Sequence, residues 1–338
     1  AIKKVKKLYA DKGFLLAKID LKEDYLEGGK KVSLEFDIDE GKKVQIKKIN
    51  FYGNTAFSDK VLKKQFKKTK EDTWWRGADF KEEDFKSDKE KLLEFYRKNG
   101  YRDAFIVSDS VRYSEDKTGL YIDITINEGT KYYFGDIVLN GNKAFSDREI
   151  MEQFEFRKGD QYNEEKYIKT YQNISKLYQD KGYIYLSINP REIPVSKDTI
   201  KLEFNIWEGN RVRVNDVVIT GNTKTKEYVI RREITIKPGD MFSAEEVQRS
   251  QREITMLNYF SKVEPKFKII PGNKEEINLE FNVEEKSTDV ANMSAGVSQR
   301  DGLIGAIGVA MNNFFGRGQR LSIDWQFGKI YRSFQFSF

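Results

Sequence analysis

The chain has 338 residues, 34% of them charged, a mean hydropathy of −0.69 and a formal net charge of +6 at pH 7. It contains no Cys and no His, which excludes thiol nucleophiles, Ser-His-Asp triads and Cys/His zinc centres and leaves an enzyme only carboxylate or Lys chemistry. No apolar run is long enough for a transmembrane helix and no signal peptide is present, and the basic excess, concentrated in pairs such as Lys42-Lys43 and Lys63-Lys64, reads as solvated surface.

Residues 1–39 begin inside a helix. Ile2, Val5, Leu8 and Tyr9 form its apolar stripe, Lys12-Gly13-Phe14 ends it, and LLAKIDLKEDY and VSLEFDIDEG follow as two strands. This is the second half of a unit that then recurs three times.

The first complete copy spans 40–127. After Glu40-Gly41, the alternating Val44, Ile46 and Ile49 predict a strand. Gly53-Asn54 supplies a positive-φ turn, and Ser58 stands at a helix N-cap. Gly77 opens a second helix carrying Phe80 and Phe85, Asn99-Gly100-Tyr101 closes it, and two more strands end in LYIDITINEG. This copy carries extra residues in KKTKEDTWWRG, which places Trp74 and Trp75 in an interhelical loop. Apolar area that large is usually covered, so packing within the modules is the first reading and a partner-docking tip the second.

The copy at 128–207 repeats these marks: Glu128-Gly129, Gly141-Asn142, a capping box from Ser146 and Glu149, Gly159, Asn163 as a cap, and Lys181-Gly182-Tyr183. The copy at 208–286 has Glu208-Gly209, Gly221-Asn222, Thr225 as N-cap, Gly239, and a second capping box from Ser243 and Glu246. Each module reads strand, helix, helix, strand, strand. Glu-Gly and Gly-Asn are common turn dipeptides, but three aligned copies with shared caps and aromatics are not chance.

From 287 to 338 the pattern changes. Met293, Ala295 and Val297 alternate with Ser294, Gly296 and Ser298; Leu321, Ile323, Trp325 and Phe327 alternate with Ser322, Asp324 and Gln326; Phe334, Phe336 and Phe338 alternate with Ser333, Gln335 and Ser337. Such segments between turns are the pattern of an antiparallel transmembrane β-barrel, although soluble sandwich strands alternate too. About four strands cannot close a barrel, so continuation beyond residue 338 is expected.

Tandem modules with Gly-Asn turns and Gly-Tyr helix ends, placed before strands containing Asn313-Phe314-Phe315-Gly316-Arg317-Gly318, resemble POTRA domains in the BamA family of outer-membrane protein assembly factors. The resemblance implies an α+β fold of tandem βααββ POTRA modules followed by the first strands of an outer-membrane barrel. Residues 1–39 are then the second half of the second of five modules. It further implies a non-enzymatic protein of a Gram-negative outer membrane, with its modules in the periplasm. Its partners would be unfolded outer-membrane proteins, accessory outer-membrane lipoproteins, periplasmic chaperones and the lipid bilayer, with no cofactor, metal or nucleic acid. A translocation channel for one dedicated substrate, a barrel-anchored phospholipase and a periplasmic scaffold are the rival readings, though no Gly-x-Ser-x-Gly elbow is present.

A sheet edge offers unpaired N–H and C=O groups to an extended client. In POTRA modules that edge is the strand after the second helix, which nominates Ala104, Phe105, Ile106 and Val107; Ile184, Tyr185, Leu186 and Ile188; and Val263 and Phe267. Asn292, Ser294, Gly296 and Ser298 would line the first barrel strand, the seam that opens to a client.

Overall fold

A computed structural model describes residues 2–26, 31–73, 78–299 and 302–338. Trp74 and Trp75, and with them Gly77, lie outside the described residues. No helix among the described residues is long and apolar enough to cross a membrane, which says nothing of strands.

The chain begins with α1 (Ile2–Ala10), β1 (Lys18–Leu26) and β2 (Lys31–Asp39), the two strands pairing antiparallel. Next come β3 (Gln45–Tyr52), α2 (Asp59–Lys63), α3 (Glu82–Lys98), β4 (Phe105–Tyr113) and β5 (Gly119–Asn127). The same order recurs in β6 (Tyr133–Asn140), α4 (Asp147–Met151), α5 (Glu164–Gln179), β7 (Ser187–Pro194) and β8 (Thr199–Trp207). It recurs again in β9 (Arg213–Thr220), α6 (Glu227–Arg231), α7 (Ala244–Met256), β10 (Phe260–Ile269) and β11 (Glu276–Glu285). The three sheets are ordered β3-β5-β4, β6-β8-β7 and β10-β11-β9. The last strand of each module is therefore central, and the strand after the second helix lies at an edge.

Central-strand alternation explains the cores. Leu120, Ile122, Ile124 and Ile126 of β5, and Ile277, Leu279, Phe281 and Val283 of β11, are buried on one face. They meet helix residues such as Phe85, Leu92 and Tyr96, or Ile230, Val247 and Ile254. In the intervening module Phe134 stacks on Phe156 at 3.7 Å, and Phe145 meets Tyr178 edge-on at 4.8 Å. The Gly-Asn turns need glycine for two reasons. Gly53, Gly141 and Gly221 have φ of 79°, 89° and 86°, and a Cβ there would overlap the carbonyl oxygen of Ile126, Ile206 or Val283.

The helix caps differ in detail from expectation. Ser146 and Glu149 form the full capping box, and Asn163 caps α5 by accepting from the Lys166 amide. Ser58 occupies its N-cap without a side-chain bond. Ser243 accepts from the Glu246 amide, but no returning bond from Glu246 is seen, so the second capping box is half made. Thr225 is not the cap of α6; that residue is Lys226. Gly159 and Gly239 sit in left-handed turns, and the helices begin later, at Glu164 and Ala244.

Contacts cluster into two compact units: residues 1–138 with 154–170 and 190–203, and residues 139–153 with 171–189 and 204–338. Within them one joint recurs between modules. The carbonyls of Gly13, Gly100 and Gly182, each at a helix end, accept the amides of Val44, Tyr132 and Val212 at 2.8, 2.9 and 2.9 Å.

Residues 290–337 form a meander, β12 (Val290–Ser298), β13 (Gly302–Phe314), β14 (Gln319–Phe327) and β15 (Arg332–Ser337), each pair antiparallel.

Candidate strand-binding edges and terminal sheet

The Glu-Gly dipeptide that opens each complete module also closes the one before it. Glu128 accepts from the Thr55 amide and hydroxyl, the Ala56 amide and, at 2.9 Å, the Tyr96 hydroxyl. Glu208 accepts from the amides of Lys143 and Ala144 and from Tyr178. Glu285 accepts from the Thr223 hydroxyl and the amides of Thr223, Lys224 and Thr225. Each carboxylate thus fastens the end of the central strand to the Gly-Asn turn of the first strand. Burial opposes ionisation of Glu285, but these hydrogen bonds prevail and hold its carboxyl at about 2. Burial and the adjacent Glu128 push the Tyr96 hydroxyl well above its ordinary range.

Asp88 on α3 is fully buried and was not singled out by sequence. It accepts the amides of Lys67, Lys68 and Thr69 at 3.1, 2.9 and 2.7 Å, and Lys91 adds an ion pair. Burial works against its charge, yet the three amides keep its carboxyl below the usual range. Thr170 and Ser250 make the matching contacts one and two modules on, to the amides of Glu155 and Thr235. Asp88 therefore anchors the start of the enlarged interhelical loop.

The nominated edge residues divide sharply. Phe105, Ile106 and Val107 lie on β4, with Phe105 50% and Val107 57% exposed. The pairing with β5 shifts between Ile106 and Ser108, so Val107 has no cross-strand partner. Ala104 precedes the strand and is buried. Ile188 lies on β7 and Val263 on β10, but both side chains are buried, while Phe267 is exposed.

Ala104 therefore needs correcting as an edge residue, and so do three residues of the next edge. Ile184, Tyr185 and Leu186 are not on an edge strand, because β7 begins only at Ser187. Ile184 and Tyr185 instead pack against the core of the following module, as Leu15 and Leu16 do against the core of the module after them. At the equivalent place Arg102 and Asp103 stand, and Arg102 meets Glu192 of β7 at 2.6 Å. This contact is an ion pair and not a well-angled hydrogen bond, which leaves Glu192 Oε2 without a hydrogen-bond donor. Burial pushes the Glu192 carboxyl up, and Arg102 opposes that shift.

The three edges also differ in proline. β7 carries Pro190 and Pro194 and β10 carries Pro265, whereas β4 has none over its nine residues. Proline cannot donate, and its place in a sheet is an edge with the missing N–H turned outward. Of these three edges only β4 keeps an N–H at every position, although its ladder with β5 is irregular at Val107.

In the terminal sheet the register sorts side chains by face. Met293, Ile307, Trp325 and Phe334 are successive partners across the four strands, as are Ala291, Val309, Ile323 and Phe336. Asn292, Gly308, Asp324 and Gln335 form one row of the opposite face, and Ser294, Ala306, Gln326 and Ser333 another. Gly296 pairs with Ile304 and Ser298 with Gly302. The apolar face is bare, with Met293 82% and Val297 85% exposed. β12 and β15 are the outer strands of this sheet.

Three tandem strand–helix–helix–strand–strand modules joined at their shared corners define an α+β repeat array, and the chain belongs to the POTRA family, described as surface antigen variable number repeat, which matches at residues 44–129, 132–209 and 212–286. Among its relatives are the outer membrane protein assembly factor BamA of Neisseria meningitidis serogroup B, 31% identical over 90% of this chain, and a putative outer membrane protein assembly factor of Treponema pallidum, 30% identical over 98%. The chain spans 40% of the length of each. Among solved structures, POTRA3-5 of Haemophilus influenzae BamA superposes with a TM-score of 0.60 at 20% identity, covering 72% of this chain and 96% of that one. That likeness establishes a shared α+β fold.

Proposed function

We propose that this chain is the receiving part of an outer-membrane protein assembly factor. It takes up unfolded β-barrel proteins by β-augmentation and passes them to a barrel seam that begins at β12. The proposed modules are 1–39 (partial), 40–127, 128–207 and 208–286, all periplasmic, and residues 287–338 are the first strands of the outer-membrane barrel. The partners are unfolded outer-membrane proteins, accessory lipoproteins, periplasmic chaperones and the bilayer. The work is done by backbone pairing, without cofactor or covalent chemistry.

The observation that carries this reading is the β4 edge, exposed, apolar at Phe105 and Val107 and free of proline. Backbone pairing tolerates many client sequences, and the exposed apolar side chains add cross-strand contacts of about 0.2–1 kcal/mol each. The sorting of the terminal sheet into an apolar and a polar face supports the membrane reading.

A Val107→Pro substitution tests the edge. Val107 lacks a Cα partner on β5, so a proline there disturbs the β4–β5 ladder less than at a paired position, and its ring obstructs an incoming strand. Affinity for an unfolded outer-membrane protein diluted from urea falls several-fold, with the module's unfolding transition retained. Unchanged affinity in the folded variant contradicts the proposal.

A further inference from the structure

The last module departs from its siblings at one place. The Gly-Asn turn is followed by Phe57-Ser58 and Phe145-Ser146 in the first two complete modules, and by Thr225-Lys226 in the third. Phe57 and Phe145 turn into their own modules, meeting Tyr96 and Tyr178 edge-on. Those two rings are partly buried, whereas Thr225 is only 3% exposed and its hydroxyl accepts the Asn313 Nδ2 hydrogen at 2.8 Å. Asn313 is also 3% exposed, and it is the penultimate residue of β13, just before the turn to β14.

The turn is shaped for this contact. Asn313 Oδ1 accepts the Gly318 amide at 2.8 Å, so one side chain both folds the turn and reaches the module. The Gly316 carbonyl accepts the amide of Lys226, the residue at the N-terminus of α6, at 2.8 Å. Gly316 has φ of 73°, and a Cβ there would overlap the Lys224 carbonyl. Phe315 itself adopts a left-handed φ of 52°, a strained state for an aromatic residue that the surrounding contacts must hold. Two further ties lie alongside: Lys224 pairs with Asp289 at 3.2 Å, and Asn312 donates to the Thr288 carbonyl at 2.7 Å. Behind Thr225, Glu285 accepts the Thr225 amide at 2.6 Å. A continuous run of polar contacts, part-buried at its ends and buried at Thr225 and Asn313, therefore leads from the end of β11 to the β13–β14 turn.

We propose that the turn Asn313–Gly318 is a docking plug, with Thr225 and Asn313 its positioning pair, that fixes the last module to the terminal sheet. The repeat gives up its aromatic and its Ser cap at this module because the turn occupies their place. The geometry stands apart from the proposed function. Only its consequence rests on that reading: a plugged module holds the start of β12 at a set position for a client arriving from the module edges. The module then cannot swing on the short link 286–289.

Amide exchange of the chain in detergent micelles tests the plug directly. Thr225→Val removes the acceptor at nearly constant volume, Asn313→Ala removes both of its bonds, and Thr225→Ser keeps the hydroxyl. The first two speed exchange of the Lys226 and Gly318 amides by about tenfold, and Thr225→Ser leaves them near wild type. The amides of β8, in the preceding module, report that the fold is retained. Because the chain has no Cys, spin labels at Lys274→Cys and Gln335→Cys add a distance readout. Its distribution is narrow in the wild type and broadens in both disrupting variants. Unchanged exchange and width in Asn313→Ala, or equal loss in Thr225→Ser and Thr225→Val, overturns the plug and leaves the β4 proposal standing.

Discussion

Glu128 accepts the hydroxyl of Thr55 at 2.6 Å and its amide at 3.0 Å, across 73 residues of chain. One carboxylate thus closes the first complete module and opens the next, since Gly129 begins the following corner with φ of 67°. Glu208 and Glu285 repeat this fastening in the two following modules.

Glu128→Ala strands the Thr55 and Ala56 amides, the Thr55 hydroxyl and the Tyr96 hydroxyl. Unsatisfied groups of this kind cost about 1–3 kcal/mol each when buried, and here partial exposure of the turn reduces the sum. The module at 40–127 should lose about 2–4 kcal/mol in urea unfolding. Glu115→Ala, at an exposed loop of the same module, should change stability by less than about 0.5 kcal/mol.

Glu285 ionises in the folded state at about 2, below its ordinary value of 4.5. A depressed carboxyl contributes stability above the unfolded value and loses it as pH falls toward the folded one. The module at 208–286 should therefore weaken between about pH 4.5 and pH 2, by at most about 3 kcal/mol. Glu285→Gln should be less stable at pH 7 and should lack this component of the acid dependence. An identical acid profile in the variant contradicts the assignment.

The joints between modules should differ in their response to salt. Between 40–127 and 128–207 the side contacts are charged: Arg97 with Glu164, Lys98 with Glu165 and Arg102 with Glu192. Between 128–207 and 208–286 they include the apolar Ile184 and Tyr185. Exposed pairs are worth about 0.2–1 kcal/mol each and are screened at high ionic strength. Raising NaCl to about 1 M, where the Debye length is about 3 Å, should broaden inter-module distances at the first joint and leave the second unchanged. Equal broadening at both joints would refute the distinction.

Much of the fold was legible because it is local and repeated. Alternation marked the central strands, Gly53, Gly141 and Gly221 marked their turns, and Ser146 with Glu149 marked a helix start. What escaped depends on residues far apart in sequence. Nothing near Glu128 announces that it will meet Thr55, and Asp88 looks like any acidic residue on an exposed helix until the loop at 67–69 closes over it. Ile184 and Tyr185 read as strand residues because they are apolar and follow a helix end, yet the partner that claims them is the next core. Thr225 matched a cap by composition, but the Asn313 side chain takes its hydroxyl, and the N-cap position falls to Lys226. The edges looked alike by position, and only the topology gave Pro190, Pro194 and Pro265 their meaning.

The central claim is that a client strand pairs along β4. Residue-resolved amide exchange of the chain, with and without an excess of an unfolded outer-membrane protein, addresses it directly. Added client should slow exchange across Phe105–Tyr113 and leave Ser187–Pro194 and Phe260–Ile269 near their free rates. Protection spread equally over all three edges, or confined to helix faces with β4 unchanged, would contradict it.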